Sequence, residues 1–400
     1  MKKMFIGNLL TPSIEREYCG DPKNQYVISA TTFQRAFLSN IRDIEDVSII
    51  NAPDIGSWPK RSSWPLFKKK EELYQGVMCK HVPFLNITYI KRFSIYRSLY
   101  KEIDKWAGNT CEEKLIIVYS LLYPYIKAAV NIKKKYPNTK ICCIVLDLPE
   151  YFGDTNSLID KFVDKSKDIH KLVYMVDSFV LLTRQMSQAL KINRKPWLLM
   201  EGIYNPVEIP RQMSISKTIL YTGKLDARFG LRELVNSFME ISDMDVQLWI
   251  CGNGLDSDYV KDASLKDYRI KYFGVIKQEE VFKMQQQASI LVNPRRPEGE
   301  YTKYSFPSKT MEYLASGTPT VMYHLPGMPD EYLPFVELID EKSPTGLRDA
   351  LEKMLALTPD ELNSFGARAR AFILNNKTAK IQIARFKQFI NENYENKQEE

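Results

Sequence analysis

Along the first two hundred residues, short unbroken apolar runs alternate with longer stretches whose apolar positions recur every three or four residues. The runs at 3–10, 47–50, 114–118, 140–146 and 176–182 have strand length and β-rich composition. Helical spacing predicts helices over 31–40, where Phe33, Phe37 and Leu38 are apolar, and over 124–135. This alternation predicts an α/β domain with a largely parallel sheet. The pattern lapses between Trp197 and Ser216, where Pro206 and Pro210 stiffen the stretch Glu-Gly-Ile-Tyr-Asn-Pro-Val-Glu-Ile-Pro and predict a linker. A second series follows, with strands over 218–223, 246–251, 270–274, 289–293 and 335–339. Its helices are expected over 231–241, 279–288, 344–357 and 359–375, and a polar loop spans 294–305. A chain of 400 residues exceeds what one core usually organises. The expected domains are therefore 1–212 and 213–378, with a terminal segment 379–400. Two successive α/β domains make a cleft, where a ligand meets the C-terminal edges of both sheets.

The stretch from Tyr304 to Val321 reads as loop, short helix, stop and strand. Pro307 suits the first helical turn, with Ser305 or Phe306 at the cap, and Gly317 and Pro319 end the helix. Met311, Leu314 and Ala315 form a buried stripe, while Lys309 and Glu312, three residues apart, share another face. A helix N-terminus presents unpaired N–H groups and partial positive charge, so together with Lys309 it suits a phosphate. Glu312 can accept hydrogen bonds from a ribose diol. The plainer alternative is a solvated Lys/Glu pair worth a few tenths of a kcal/mol.

Composition adds limits. The chain is 44% hydrophobic and 26% charged, ordinary for a globular protein. Six cysteines and three histidines are scattered without CxxC or Cys/His spacing, so neither a disulfide framework nor a zinc site is indicated. The start, Met-Lys-Lys-Met-Phe-Ile-Gly-Asn-Leu-Leu, reads as a first strand rather than a signal peptide. The longest apolar stretch, Leu115 to Ile126, is too short to span a bilayer. A reducing cytoplasm is the expected compartment. Charge is uneven: 31 Lys and Arg stand against 22 Asp and Glu up to Pro210, and 25 against 27 afterwards. The excess concentrates between Lys60 and Lys105, where basic residues interleave with Trp58, Trp64, Phe67, Tyr89, Phe93, Tyr96 and Tyr100. That mixture suits peripheral contact with an anionic membrane; it would equally suit single-stranded nucleic acid or form a solvated face.

Several loops lie on the expected ligand edge. Gly223-Lys224-Leu225-Asp226-Ala227-Arg228-Phe229-Gly230 joins a strand to a helix, and Gly252-Asn253-Gly254 follows the next strand. Neither is a dinucleotide fingerprint, and no Walker sequence occurs. Arg228 stands where a guanidinium can bind a diphosphate bidentately. In the first domain, Asp147 and Glu150 follow a strand end and are candidates on the acceptor side. The triplets Asp243-Met244-Asp245 and Asp256-Ser257-Asp258 resemble metal-binding patterns, but one precedes a strand and the other opens a helix as a cap.

Taken in order, Tyr-Thr-Gly-Lys-Leu with Arg228 and Gly230, Gly252-Asn253-Gly254, Tyr272-Phe273-Gly274, Leu291-Val292-Asn293-Pro294 and Phe-Pro-Ser-Lys-Thr-Met-Glu-Tyr-Leu-Ala-Ser-Gly-Thr-Pro resemble retaining glycosyltransferases of family 4. More narrowly, the chain looks like bacterial members that build capsular, O-antigen or exopolysaccharide units. The resemblance covers residues 219–357. It implies a GT-B fold of two Rossmann-like α/β domains facing a cleft, with the terminal helix crossing back to the first domain. The second domain would bind a nucleotide sugar, UDP- or GDP-linked, and the first a glycan acceptor, lipid-linked at the cytoplasmic membrane face. Glu312 corresponds to the second glutamate of a Glu-x7-Glu motif and would bind the ribose. Arg228 and Lys309 would stabilise the diphosphate, and Gly223, Asn253, Tyr304 and Ser308 would line the donor site. Tyr304 stands where the first glutamate belongs, and Phe229 where the family has lysine beside the glycine. The resemblance implies no cofactor, no metal and no nucleic-acid partner. Alternative readings are a GT-B epimerase acting on the nucleotide sugar alone, and an inactive scaffold subunit.

Overall fold

The computed structural model describes residues 1–26, 28–109, 112–151, 166–207 and 217–395. The chain separates into two units, Met1–Ile203 with Ala379–Glu400, and Tyr204–Thr378. The boundary expected at 212/213 lies outside the described residues.

In the first unit the strands are β1 (Lys2–Gly7), β2 (Val47–Asn51), β3 (Lys70–Tyr74), β4 (Val77–His81), β5 (Lys114–Tyr119), β6 (Thr139–Val145), β7 (Ser178–Leu181) and β8 (Trp197–Leu199). Among the described residues they form an eight-stranded sheet in the order β8-β7-β6-β5-β1-β2-β4-β3. All pairs are parallel except β3 with β4. Every residue of β5 is buried, as expected for a strand covered on both faces. The helices of this unit are α1 (Pro12–Tyr18), α2 (Ile28–Leu38), α3 (Lys91–Gly108), α4 (Tyr123–Lys135), α5 (Ser166–Val173) and α6 (Gln185–Ala189). Residues 60–105, expected only as a basic surface, contain a β-hairpin and most of an 18-residue helix that ends at Gly108. In α3, Ile95, Leu99, Ile103 and Ala107 bury one stripe at a spacing of four, with Lys91 at its start turned in to the Ile55 carbonyl, while Arg92, Arg97, Lys101 and Lys105 are exposed.

The second unit holds β9 (Thr218–Lys224), β10 (Gln247–Asn253), β11 (Ile270–Gly274), β12 (Ile290–Asn293), β13 (Thr320–Met322) and β14 (Glu337–Leu338). They form a parallel sheet ordered β11-β10-β9-β12-β13-β14. Its helices are α7 (Leu231–Met239), α8 (Ser257–Lys266), α9 (Gln278–Gln287), α10 (Ser308–Ser316), α11 (Gly346–Leu355) and α12 (Pro359–Asn376). Leu231, Leu234, Val235 and Phe238 of α7 join Ile219, Leu248, Ile250 and Val292 of the strands in one core. A capping box at Thr358 and Glu361 starts α12.

The last helix, α13 (Ala379–Ile390), belongs to the first unit. Ile383, Phe386, Phe389 and Ile390 share a core with Phe5, Phe37 and Ile117, and the rings of Phe37 and Phe386 meet edge to face at 5.1 Å. Tyr394 donates to Ser178 Oγ at 2.6 Å, fixing the chain beyond α13 to β7.

Candidate functional site

The second sheet builds outward from β9 to β10 and β11, then resumes on the other side with β12. Parallel strands diverge at such a reversal, and the crevice beyond their C-terminal ends is where open α/β sheets take ligands. Two glycines hold the loops there in close contact. Gly230 has φ 78°, and a Cβ on it would lie 1.9 Å from the carbonyl oxygen of Pro294, so only glycine lets the loops after β9 and β12 touch. Gly252, with φ 134°, faces Gly223 across β9 and β10; a Cβ there would lie 1.8 Å from the Gly223 oxygen. Asn253 is exposed at the end of β10, beside this glycine pair.

Asp226 caps the short turn Ala227–Phe229 by accepting from the backbone N–H of Arg228 at 3.0 Å. The same carboxylate takes the Arg228 guanidinium, with Nη2 at 2.7 Å and Nε at 3.1 Å. These bonds hold the Asp226 carboxyl down at about 2. Arg228 is therefore oriented from below while its side chain stays 67% exposed.

The helix α10 starts one residue later than expected. Pro307 has extended ψ 117° and is itself the N-cap, with no side-chain capping bond, and Ser308 is the first helical residue. Phe306 anchors the approach, buried with its ring 5.1 Å from that of Tyr332, which leaves Ser305 outside the cap. Met311, Leu314 and Ala315 are buried as the spacing predicts, and Gly317 ends the helix in the left-handed region. Tyr313 is also buried, and its hydroxyl, pushed up by burial, takes the Thr222 backbone N–H at 2.9 Å. That bond ties α10 to the C-terminal end of β9. Lys309 Nζ then lies 3.3 Å from Thr222 Oγ1 and 3.8 Å from Glu312 Oε2. Beyond Glu312 is a recess lined by Tyr204, Phe282, Gln285, Ala315 and Arg370. Burial raises the Tyr204 hydroxyl, with Arg370 and Glu312 acting on it in opposite directions. Gln285 is fully buried, and among the described residues neither atom of its amide has a hydrogen-bond partner.

The loop from 294 to 305 ends in a short 3-10 turn, Glu300–Tyr304, which delivers Tyr304 to the start of α10. Arg296 clamps the loop to α7 through two 2.7 Å bonds to Glu233, and Tyr323 donates to the same carboxylate at 2.5 Å. Glu298 lies 4.0 Å from Arg296 and Glu300 lies 4.0 Å from Lys303, so each is drawn to a cation of its own loop. Arg295 was not expected from sequence. Its guanidinium lies 5.8 Å from the Phe229 ring and 5.0 Å from the Tyr301 ring, and donates to Ser305 Oγ at 3.1 Å. No carboxylate pairs with Arg295 among the described residues, and its Nε is buried without a partner. Phe229 thus supports a cation where it does not supply one. The signal available in sequence was Arg295-Arg296, two and three residues beyond the strand end at Asn293.

The Asp-x-Asp carboxylates are engaged otherwise. Asp243 pairs with Lys217 at 2.7 Å. Asp256 occupies the N-cap of α8, yet its carboxylate is bonded to Arg232 at 2.5 and 2.9 Å rather than to a helix N–H.

In the first unit, Asp147 follows β6 and its carboxyl is raised by desolvation. Glu150 lies on the same loop but is turned to His170, 2.6 Å away. Sequence reading missed Asp54, which follows β2; burial raises its carboxyl, opposed by Lys91 and Arg61. Asp147 and Asp54 both act on the buried hydroxyl of Tyr119, at the end of β5, so they converge near the reversal between β1 and β5. The signal was a carboxylate four residues beyond a predicted strand.

Among curated proteins none matches the sequence. Solved structures do. Sucrose-phosphate synthase from Thermosynechococcus elongatus aligns at TM-score 0.62 and 15% identity over 97% of this chain and 98% of that one. The E. coli trehalose-6-phosphate structure bound with UDP-2-fluoro glucose aligns at 0.66 and 11% over 97% and 99%. S. aureus TarM, in complex with fondaparinux, alpha-GlcNAc-glycerol and UDP, aligns at 0.59 and 12% over 98% and 100%. The chain has the GT-B fold, and residues 216–356 match the family described as glycosyl transferases group 1.

Proposed function

We propose that the protein is a retaining glycosyltransferase that moves a hexose from a UDP- or GDP-sugar to a glycan acceptor. Its closer relations are proposed to lie in family 4, among enzymes of bacterial surface polysaccharide assembly, with a lipid-linked acceptor at the cytoplasmic membrane face. The observation that carries the reading is the grouping at the end of β9. Lys309 lies beside Thr222 and Glu312, and Arg228 is held by Asp226 on the next loop.

The chemistry follows from that grouping. The bond between the anomeric carbon and the diphosphate oxygen breaks with its electron pair leaving on oxygen, so negative charge grows on the diphosphate. Fixed cations at Lys309 and Arg228 stabilise that charge without a metal. Glu312 binds the ribose hydroxyls, and Gly223, Asn253, Tyr304 and Ser308 line the donor. The acceptor oxygen forms its bond on the same face of the sugar, and its proton passes to the leaving phosphate oxygen. Asp147, Asp54 and Glu150 are proposed to position acceptor hydroxyls. Two structural neighbours hold UDP or a UDP-sugar analogue, which supports a uridine donor first.

The test is transfer from UDP-glucose, UDP-GlcNAc, UDP-galactose and GDP-mannose to extracted lipid-linked glycans, with product identified by mass spectrometry. Glu312→Ala and Lys309→Ala should each abolish most turnover while the melting temperature is kept. Full activity in both variants would sink the site.

A further inference from the structure

The excess charge between Lys60 and Lys105 is carried by the strands and turns before α3 and by α3 itself. Residues 57–109 hold eleven lysines and arginines against four carboxylates, a balance of +7 that equals the net charge of the whole chain. Within this stretch, Leu66–Phe67 and Phe84–Leu85 make a small antiparallel pair in which Leu66 stands opposite Leu85, and Phe67 opposite Phe84. The two phenylalanines are buried and stacked at 5.1 Å, so the leucines project together from the other face, into solvent. Leu85 N–H donates to Ser94 Oγ in α3, and Thr88 Oγ1 donates to the Trp58 carbonyl, which draws Trp58 and the helix start to the same place.

There Tyr89 is 72% exposed and Phe93 58%, with Ile90 and Trp58 also open. From Phe93, the exposed side of α3 continues at a spacing of four through Arg97, Lys101 and Lys105, opposite its buried stripe. Lys60, Lys68, Arg92 and Lys101 are exposed and pair with no carboxylate among the described residues. Six large apolar side chains rimmed by unpaired cations are more than a solvated face requires.

We propose that this surface docks on an anionic lipid bilayer. Trp58, Leu66, Leu85, Tyr89, Ile90 and Phe93 enter the headgroup boundary, and Lys60, Lys68, Arg92, Arg97 and Lys101 meet lipid phosphates. Aliphatic anchors decide against single-stranded nucleic acid: Leu66, Leu85 and Ile90 have no ring face on which a base can stack, whereas acyl chains accept them. Among the described residues no helix is long and apolar enough to cross a membrane, so the contact is interfacial. The choice of a lipid partner rests in part on the proposed lipid-linked acceptor. Vesicle binding needs neither donor nor acceptor, so docking and transfer can fail separately.

The experiment is cosedimentation of the full chain with phosphatidylcholine vesicles, with and without phosphatidylglycerol. Binding is expected only with phosphatidylglycerol and is released by salt. Arg92→Glu with Lys101→Glu should weaken it at least tenfold, near fivefold for each cation lost. Leu66→Ser with Phe93→Ser should weaken it with the charges intact, and both double variants should melt as the parent does and transfer to a water-soluble acceptor at the parent rate. Equal sedimentation with both vesicle types overturns the proposal. So does retention on single-stranded RNA without vesicle binding.

Discussion

The ammonium of Lys309 lies 3.3 Å from Oγ1 of Thr222, joining the first turn of α10 to the last residues of β9 across 87 positions of sequence. Thr222 is buried and held again by Tyr313, so it is a rigid partner for a flexible side chain. The hydroxyl therefore fixes where the Lys309 charge sits. Thr222→Val keeps the shape and removes this tether. Its expected effect is a loss in kcat of about tenfold with little change in melting temperature. Lys309→Ala removes the charge itself and should cost roughly 10²- to 10³-fold, in the range of a lost transition-state donor. Steady-state kinetics on both variants checks the order, and an equal loss in the two would remove the distinction.

Arg295 offers a cation held between the rings of Phe229 and Tyr301. A guanidinium that pairs with no carboxylate among the described residues, beside a proposed diphosphate site, should be used in the reaction. Arg295→Gln is expected to lower kcat by about 10²-fold, the scale of one electrostatic contact. Arg295→Lys should restore only part of it, since an ammonium cannot stack between two rings as a planar guanidinium does. Unchanged kcat in Arg295→Gln would assign the residue to loop packing alone.

These two residues show what is legible in the chain. The strands read clearly because buried parallel strands appear as unbroken apolar runs, as in Lys114–Tyr119. Lys309 and Glu312 read clearly because helix periodicity places residues three apart on one face. Arg295 does not, because its meaning depends on Phe229 and Tyr301, which arrive from two loops. The same holds for Arg296, whose partner Glu233 lies 63 positions away. The helix α3 was hidden by its own charge, since only one residue in four is buried along its inner stripe. The start of α10 shifted by one residue because a proline at the N-cap and one in the first turn look alike in sequence.

Gln285 is a second buried polar group that pattern cannot expose. Its amide is fully buried with both atoms unpaired among the described residues, and it lines the recess beside Glu312. An unpaired buried polar group costs about 1–3 kcal/mol, and replacing it by an apolar group of similar shape is neutral or stabilising. Gln285→Met should therefore raise the melting temperature, read by calorimetry without ligand. A base edge seated in the recess would offer the amide a donor and an acceptor, so the same variant should bind UDP more weakly by about tenfold. Higher stability with unchanged UDP affinity would leave the amide as a structural defect and place the base elsewhere.

His81 connects the first unit to pH. It is fully buried at the end of β4, where Asn51 Nδ2 donates to its Nδ1 at 3.0 Å and its Nε2 donates to Glu72 Oε1 at 2.8 Å. Cys79 Sγ lies 3.6 Å from Nε2, the Phe67 ring closes another side, and Lys70 adds like charge. Burial lowers the imidazole below its ordinary value of 6.5, outweighing the pull of Glu72. Burial also opposes the charge on Glu72, but bonds from Ser13, Thr11 and His81 prevail and hold it below 4.5. Both folded-state values are depressed, so the unfolded chain binds more protons as pH falls. The stability these groups contribute is complete above pH 6.5 and is lost below it, first through His81 and then through Glu72. One proton of difference corresponds to about 1.4 kcal/mol per pH unit. The melting temperature should drop between pH 7 and pH 5. In His81→Gln it should start lower at pH 7, since buried Asn51 and half-buried Glu72 lose their imidazole partner, and fall less steeply. Parallel curves for parent and variant would show that other groups set the acid sensitivity.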